Sequence, residues 1–300
     1  MHRAIAAWLT THPWRAACAS AICGALSPQM MLPFMILAGA IPVLAALRFD
    51  SRIALGIAAT AAAAAAWVVF SASQPLWWVL AGILVLFFSP VLLALLLKRT
   101  GSMNLCFQVA VLGAASLLIT IHLSLADPVA IWTELLLQVL DSMAAAGLRI
   151  EGDRDAIVQV WARTMWGALA ALTLAMTLGG LFLGRWWQSL LQEPGEFGSE
   201  YRGLRLGLTL GVIITGVFVL ALATESSLAA SLAWVAFVSL AFQGLAAAHR
   251  SKAGGRLNRG WLAAIYVLLI VPLSMSITVF ALAIWGYADN WLRPRPQVSH

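Results

Sequence analysis

IALGIAATAAAAAAWVVFSASQPLWWVLAGILVLFFSPVLLALLL runs from Ile53 to Leu97 without one charged side chain. As a single helix this stretch would rise about 68 Å, more than twice the roughly 30 Å of a bilayer's hydrocarbon core. Ser71, Ser73, Gln74 and Pro75 fall near its middle, and such residues punctuate a helical pattern. The stretch therefore reads as a helical hairpin, 53–70 and 76–97, with each arm long enough to cross lipid once.

The same test works outward along the chain. Other uncharged runs cover 16–47, 100–126, 164–184, 206–224, 226–248 and 260–288, and only 10% of the 300 residues are charged while 62% are hydrophobic. A soluble domain carries about a quarter charged residues, so this surface is built for lipid. Further spans are expected at 104–125, 165–184, 206–223, 228–248 and 261–287. The run 16–47 is too long for one ordinary span and is interrupted at Ser27, Pro28 and Pro33. It reads as two short or tilted spans, 7–26 and 30–47, which makes nine; one long kinked helix would make eight. The expectation is an all-α, polytopic transmembrane bundle forming a single integral membrane domain over 1–300.

Basic residues orient such a bundle, because they are enriched in cytoplasmic loops. Arg48, Arg52, Lys98, Arg99, the 185–205 segment and Arg250, Lys252, Arg256 and Arg259 fall on one side, which is taken as cytoplasmic. Nine spans also place Arg3 and Arg15 inside, but leave Arg293 and Arg295 outside against the rule. His12, Pro13 and Arg15 interrupt the first apolar residues, so the N-terminus reads as retained rather than as a secretory signal. The compartment expected is a bacterial inner membrane, crossed several times. On the opposite side, 127–163 opens with Asp127-Pro128, a cap and first-turn pair, and Gly147 is a plausible stop. Ile131, Leu135, Leu136 and Val139 alternate there with Glu134, Gln138 and Asp141. This reads as an amphipathic surface helix, followed by an acidic turn at Glu151, Asp153 and Asp155.

Small residues recur four apart at Ala17, Ala21 and Ala25, and again at Gly203, Gly207 and Gly211. A face without bulky side chains lets another helix approach closely. Association within the bundle is the plainer reading, and docking to another membrane subunit the sharper one. No span carries a charge at its midpoint, which counts against a pump built on carboxylates. His122, near the outer end of its span, reads as a satisfied interfacial histidine. No hydrolytic, nucleotide-binding or metal-binding signature is present, so the reading is non-enzymatic, with no cofactor and no metal. Cys18, Cys23 and Cys106 read as small apolar residues. Trp77, Trp78, Trp132, Trp186, Trp187, Trp261 and Trp291 fall near span ends as an interfacial belt. The net charge of +6 is met by anionic lipid headgroups and does not call for nucleic acid.

The 185–205 segment, read as a cytoplasmic loop, carries the most specific pattern. Pro194-Gly195 suits a tight turn, and Glu193, Glu196 and Glu200 alternate with Arg185, Arg202 and Arg205, a balance able to fold it into an ion-paired cap. Arg185, Trp186, Trp187, Gln188, Pro194, Gly195, Phe197, Glu200, Tyr201, Arg202, Leu204, Arg205, Leu206 and Gly207 resemble the YybS-like family of bacterial membrane proteins, a family without a settled activity. Glu196 stands where that family has a second glycine, and Tyr201 where it has phenylalanine. Asp289 and Trp291 resemble the family's C-terminal close, and Leu47-Arg48 its early Leu-Arg. The resemblance implies a bacterial multi-span protein. The family's N-terminal pattern is in turn similar to the substrate-binding subunits of energy-coupling-factor vitamin transporters, which dock a shared transmembrane partner through an Ala-x-x-x-Ala face. By that analogy Ala17, Ala21 and Ala25 would meet a partner. The expected function is a transport-associated subunit that binds a small molecule or lipid between its helices. The alternative is a scaffold or assembly factor acting through 185–205.

Overall fold

The structure is a computed structural model and describes residues 2–30, 32–72, 77–148 and 152–293. It forms two compact units by internal association. The first contains α1 (His2–Thr11), α2 (Pro13–Met30), α3 (Leu32–Arg48), α4 (Ser51–Ala72), α5 (Trp77–Thr100) and the start of α6 (Met103–Ser124). After α7 (Pro128–Ala145) it also receives the C-terminal part of α8 (Arg154–Leu191) and then α9 (Glu196–Arg202). The second holds the rest of α6, α7, the start of α8, α10 (Gly207–Ala223), α11 (Ser227–Ala253), α12 (Arg259–Ile270) and α13 (Pro272–Leu292). The described residues contain no strand.

Five of these helices, α4, α5, α6, α8 and α11, are long and apolar enough to cross a membrane, and α9 with α10 makes a sixth if read as one broken span. Only 33%, 28% and 28% of the apolar windows of α4, α5 and α6 are buried in protein. Trp67, Leu123, Leu222 and Leu273 are 76%, 80%, 89% and 89% exposed. So much apolar surface outside the core is stable against lipid and not against water. The chain is a multi-pass membrane protein.

Two expected spans are divided. Residues 7–26 are split at Pro13, which opens α2, and 261–287 are split at Val271-Pro272, which opens α13. A proline has no N–H to donate to the preceding turn and forces the residue before it out of helical geometry; Val271 accordingly has φ −78° and ψ 117°. Pro28, Pro42 and Pro90, by contrast, lie within α2, α3 and α5. Expected breaks at Ser27 and Pro28 therefore do not occur there.

Small residues set the close approaches in the first unit. An added Cβ on Gly24 would overlap the backbone carbonyl of Ala61, so α2 and α4 touch at that point. The buried face of α2 is Ala16, Ser20, Gly24 and Ser27. Ala17, Ala21 and Ala25 lie one residue to its side and are half-buried; Thr60 Oγ1 donates to the Ala17 carbonyl at 3.3 Å. Gly180 backs onto Gly39, and Gly184 onto Ala40 and Val43, which brings α8 against α3. Phe87, 1% exposed, fills a core lined by Ala38, Ala61, Ala62 and Ala65.

In the second unit, Phe237 meets Phe280, Gly244 meets Gly286 and Arg250 meets Asp289. The nearly constant offset between partners means that α11 and α13 run parallel. The chain between them must return, and α12 lies within that return. Arg293 consequently sits at the same end of this unit as Arg250. At the other end Asp127 caps α7 by accepting from the N–H groups of Val129 and Ala130 at 2.9 and 3.0 Å, with Pro128 in the first turn. Gly147 follows that helix with φ +83°. Asp153 caps α8 in the same way, accepting from Asp155 and Ala156; Glu151 of the expected acidic turn lies outside the described residues.

Candidate functional site

Among the described residues, each unit contains a buried polar network around an arginine. In the first, 185–191 continue α8 without a break, and a turn at 192–195 leads into α9. The segment expected as a loop is therefore mostly helical. Gly195 has φ +102°, a conformation that L side chains rarely adopt, and it reverses the chain after Pro194. Glu196 and Glu200 fall on one face of α9 and Phe197 and Tyr201 on the next, as a spacing of four requires. Tyr201 meets Phe182 edge-on at 5.2 Å, and Phe197 lies 6.3 Å from the same ring. That aromatic contact fixes the helix, and the carboxylates then point back to α8.

Arg185 receives them. Its side chain is 8% exposed. Nε and Nη2 donate to the two oxygens of Glu200 at 3.0 and 2.7 Å, and Nη2 also reaches Glu196 at 2.7 Å. Nη1 donates to Gln188, whose amide donates on to Gln192. The two-pronged geometry matches a planar guanidinium to a carboxylate. Glu196, where the resembled family has glycine, is the second acceptor of this pair, so the departure adds charge to the centre.

Around it lies an open cavity of about 630 Å³, lined by Leu47, Leu97, Lys98, Gly101, Arg185, Gln188, Gln192, Glu193, Glu196 and Glu200. Lys98 donates to the carbonyls of Ala46 and Phe49 at 3.1 and 2.9 Å, covering the end of α3. Three carboxylates against two cations leave the wall one negative charge in excess. The ends of α3, α5 and α8 that supply Leu47, Leu97 and Gln192 are C-terminal ends, each carrying partial negative charge. The α9 N-terminus at Glu196 and Lys98 at the end of α3 offset part of this, so the surplus carboxylate among the lining side chains is what suits a cation. No group of three or more His, Cys, Asp or Glu side chains among the described residues is arranged to hold a metal.

The second centre joins motifs that are far apart in sequence. Asn290, 3% exposed, accepts from Gly207 N–H and donates to Gly207 carbonyl, both at 3.0 Å. Gln243, fully buried, accepts from Leu206 N–H at 2.9 Å and donates to Asp289 at 3.3 Å. Arg205 donates to the carbonyls of Asn290 and Arg293 at 3.2 Å each, closing the end of α13, while Arg250 pairs with Asp289. Arg205 thus belongs to the fold of this unit and is not a free working surface.

The proposed motif is therefore divided. Arg185, Gln188, Pro194, Gly195, Phe197 and Glu200 build the first centre; Arg205, Gly207 and Asp289 build the second. Arg202 is half-buried beside Gly198. Trp186 meets His2 at a tilt, with ring centres 5.1 Å apart. Trp187 is only 4% exposed, so it is a core residue and not part of an interfacial belt, whereas Trp261 is 64% and Trp291 42% exposed. Gly203, Gly207 and Gly211 do not form one helix face: Gly203 caps α9, Gly207 opens α10 with φ +87°, and only Gly211 packs, against Asn290 and Trp291. Sequence reasoning missed Lys98, Gln192, Gln243, Asn290 and the close-contact glycines. Gly180 and Gly184 offered a signal in their spacing of four; Gln243 offered a lone amide in an apolar run. Comparison with protein-family models, curated proteins and solved structures finds no match.

Proposed function

We propose that this chain is a non-enzymatic, transport-associated subunit of a bacterial inner membrane that binds a small molecule in the cavity beside Arg185. The observation that carries this reading is the cavity itself, about 630 Å³ and walled by the ion-paired α8–α9 cap. That volume suits a small organic ligand, and the surplus carboxylate favours one bearing an amine. The transport assignment rests on the fold-level analogy of the Ala17, Ala21 and Ala25 face with the substrate-binding subunits of energy-coupling-factor vitamin transporters. In this reading α2, α3 and α10 cross the lipid together with the five long apolar helices, giving eight crossings. The α12–α13 pair enters and leaves through one side. Both termini then lie on the basic, cytoplasmic side.

The test is native mass spectrometry and thermal shift on the detergent-purified full chain, with a panel of small amines and amino acids. At least one member should raise Tm, and the doubly substituted Gln192→Trp, Glu193→Gln chain should lose that shift while keeping the unliganded Tm. Both residues are exposed; neither is an ion-pair partner of Arg185, and Gln192 only ends the chain of amides that starts there. No retained molecule and no shift from any member would defeat the reading.

The scaffold reading, with 185–205 as a docking surface, is favoured by one observation: α9 is held in a fixed pose by both ion pairs and aromatic contacts. Its test is Arg202→Ala, since Arg205→Ala would open α13 instead. Retained function with Arg202→Ala would dismiss it.

A further inference from the structure

We infer that the second unit carries, at the end where α11 and α13 finish, a docking surface for the phosphate headgroups of anionic lipid. Arg205, Arg250, Lys252, Arg256, Arg259 and Arg293 gather at this end, and the only acid among them is Asp289. The parallel course of α11 and α13 brings the last of these back beside the first; a single crossing over 261–287 would have separated them. Asp289 pairs with Arg250, and Lys252, Arg256 and Arg259 present their positive charge outward at this end. Arg205, Arg250 and Arg293 lie close enough to act on each other: burial first, then the charge of Arg250 and, against the opposing charge of Asp289, that of Arg205 push the Arg293 guanidinium below its ordinary pKa. Such crowding is relieved by an anion.

The opposite end of the unit has the reverse character. Asp127, Asp141, Asp153, Asp155 and Glu225 lie there, and among the described residues its cations Arg154 and Arg163 are paired with Asp141 and Glu225. The polarity therefore belongs to one end and not to the unit as a whole. Two further features make lipid, rather than free phosphate, the occupant. Lys252, Arg256 and Arg259 are exposed, and exposed indoles stand at the same level, Trp261 beside Arg259 and Trp291 beside Asp289. Indole rings settle at the headgroup layer, where each nearby Lys or Arg adds about 1 kcal/mol toward an anionic surface. That surface is distinct from the Arg185 cavity and stands whether or not the cavity binds anything.

The experiment uses the full chain in nanodiscs of phosphatidylcholine with or without phosphatidylglycerol, followed by native mass spectrometry of the lipid kept on release. Phosphatidylglycerol should be retained in preference to phosphatidylcholine. Lys252→Gln, Arg256→Gln and Arg259→Gln should each lower that preference about fivefold, the equivalent of one lost contact. These side chains are solvent-exposed, so an unchanged Tm in phosphatidylcholine alone verifies that folding is intact. Arg154→Gln, at the acidic end, should leave the preference unaltered. Equal retention of both lipids, or a preference indifferent to the three substitutions, overturns the inference. So does a Tm rise with inorganic phosphate in neutral detergent that matches the effect of the lipid.

Discussion

Asn290 is bonded through both ends of one amide to Gly207, and no other side chain of its size offers a donor and an acceptor in the same plane. Replacing it by Leu leaves a buried N–H and a buried carbonyl unpaired, each costing about 1–3 kcal/mol. Asn290→Leu should therefore lower Tm in detergent by several degrees. Asn290→Asp keeps the acceptor and loses the donor, and should fall between; equal losses for both would mean that volume, not bonding, is at stake. Ser231 presents the opposite case. It is fully buried on α11 against Gly167, and its hydroxyl meets no partner among the described residues. Ser231→Ala removes a desolvated polar group without adding volume, so Tm should rise, by the equivalent of on the order of 1 kcal/mol. A fall would show that the hydroxyl has a partner.

Helices in lipid gain little from hiding apolar surface from one another, so close backbone approach carries their association. α11 and α13 illustrate this, since an added Cβ on Gly244 would overlap the Leu282 carbonyl and one on Gly286 the Leu240 carbonyl. Backbone atoms cannot step aside as a flexible side chain can. Gly244→Leu or Gly286→Leu should separate the two helices and abolish a monodisperse size-exclusion peak. Gly56→Ala, on α4 with nothing within 4 Å of its added carbon, should be tolerated and gain up to about 1 kcal/mol from helix propensity. If the α11 and α13 variants behave like Gly56→Ala, the crossing is not where their stability lies. The same argument explains why Ala16, Ser20, Gly24 and Ser27, rather than the alanine ladder at 17, 21 and 25, form the buried face of α2. Spacing marks that a face exists, but in an alanine-rich helix two adjacent faces satisfy it equally, and Gly24 selects between them only once α4 is in place.

At the scale of the molecule, the direction of the last helices decides the sidedness of the second unit. With the three native cysteines replaced, single cysteines at positions 256 and 293 should label from one face of sealed vesicles, and one at 225 from the other. Labelling of 256 and 293 from opposite faces would restore 261–287 as a single crossing and remove the basic end on which lipid docking rests.

The lipid environment, the helical class, the caps at Asp127 and Pro128 and the ion-paired character of 185–205 were all legible in the chain itself. Each depends on residues within a few turns of one another, or on composition alone. Asp127 needs only its own next three residues to cap a helix, and a run of forty-five uncharged residues needs no partner to exclude water. Which glycine touches a backbone, which arginine is spent inside, and that Gly207 would find Asn290 were decided only by the tertiary structure. Those contacts join segments distant in sequence, 37 residues apart for Gly24 and Ala61 and 83 for Gly207 and Asn290. Nothing in a local pattern distinguishes a glycine facing lipid from one facing another helix, because both are small and apolar until a neighbour arrives.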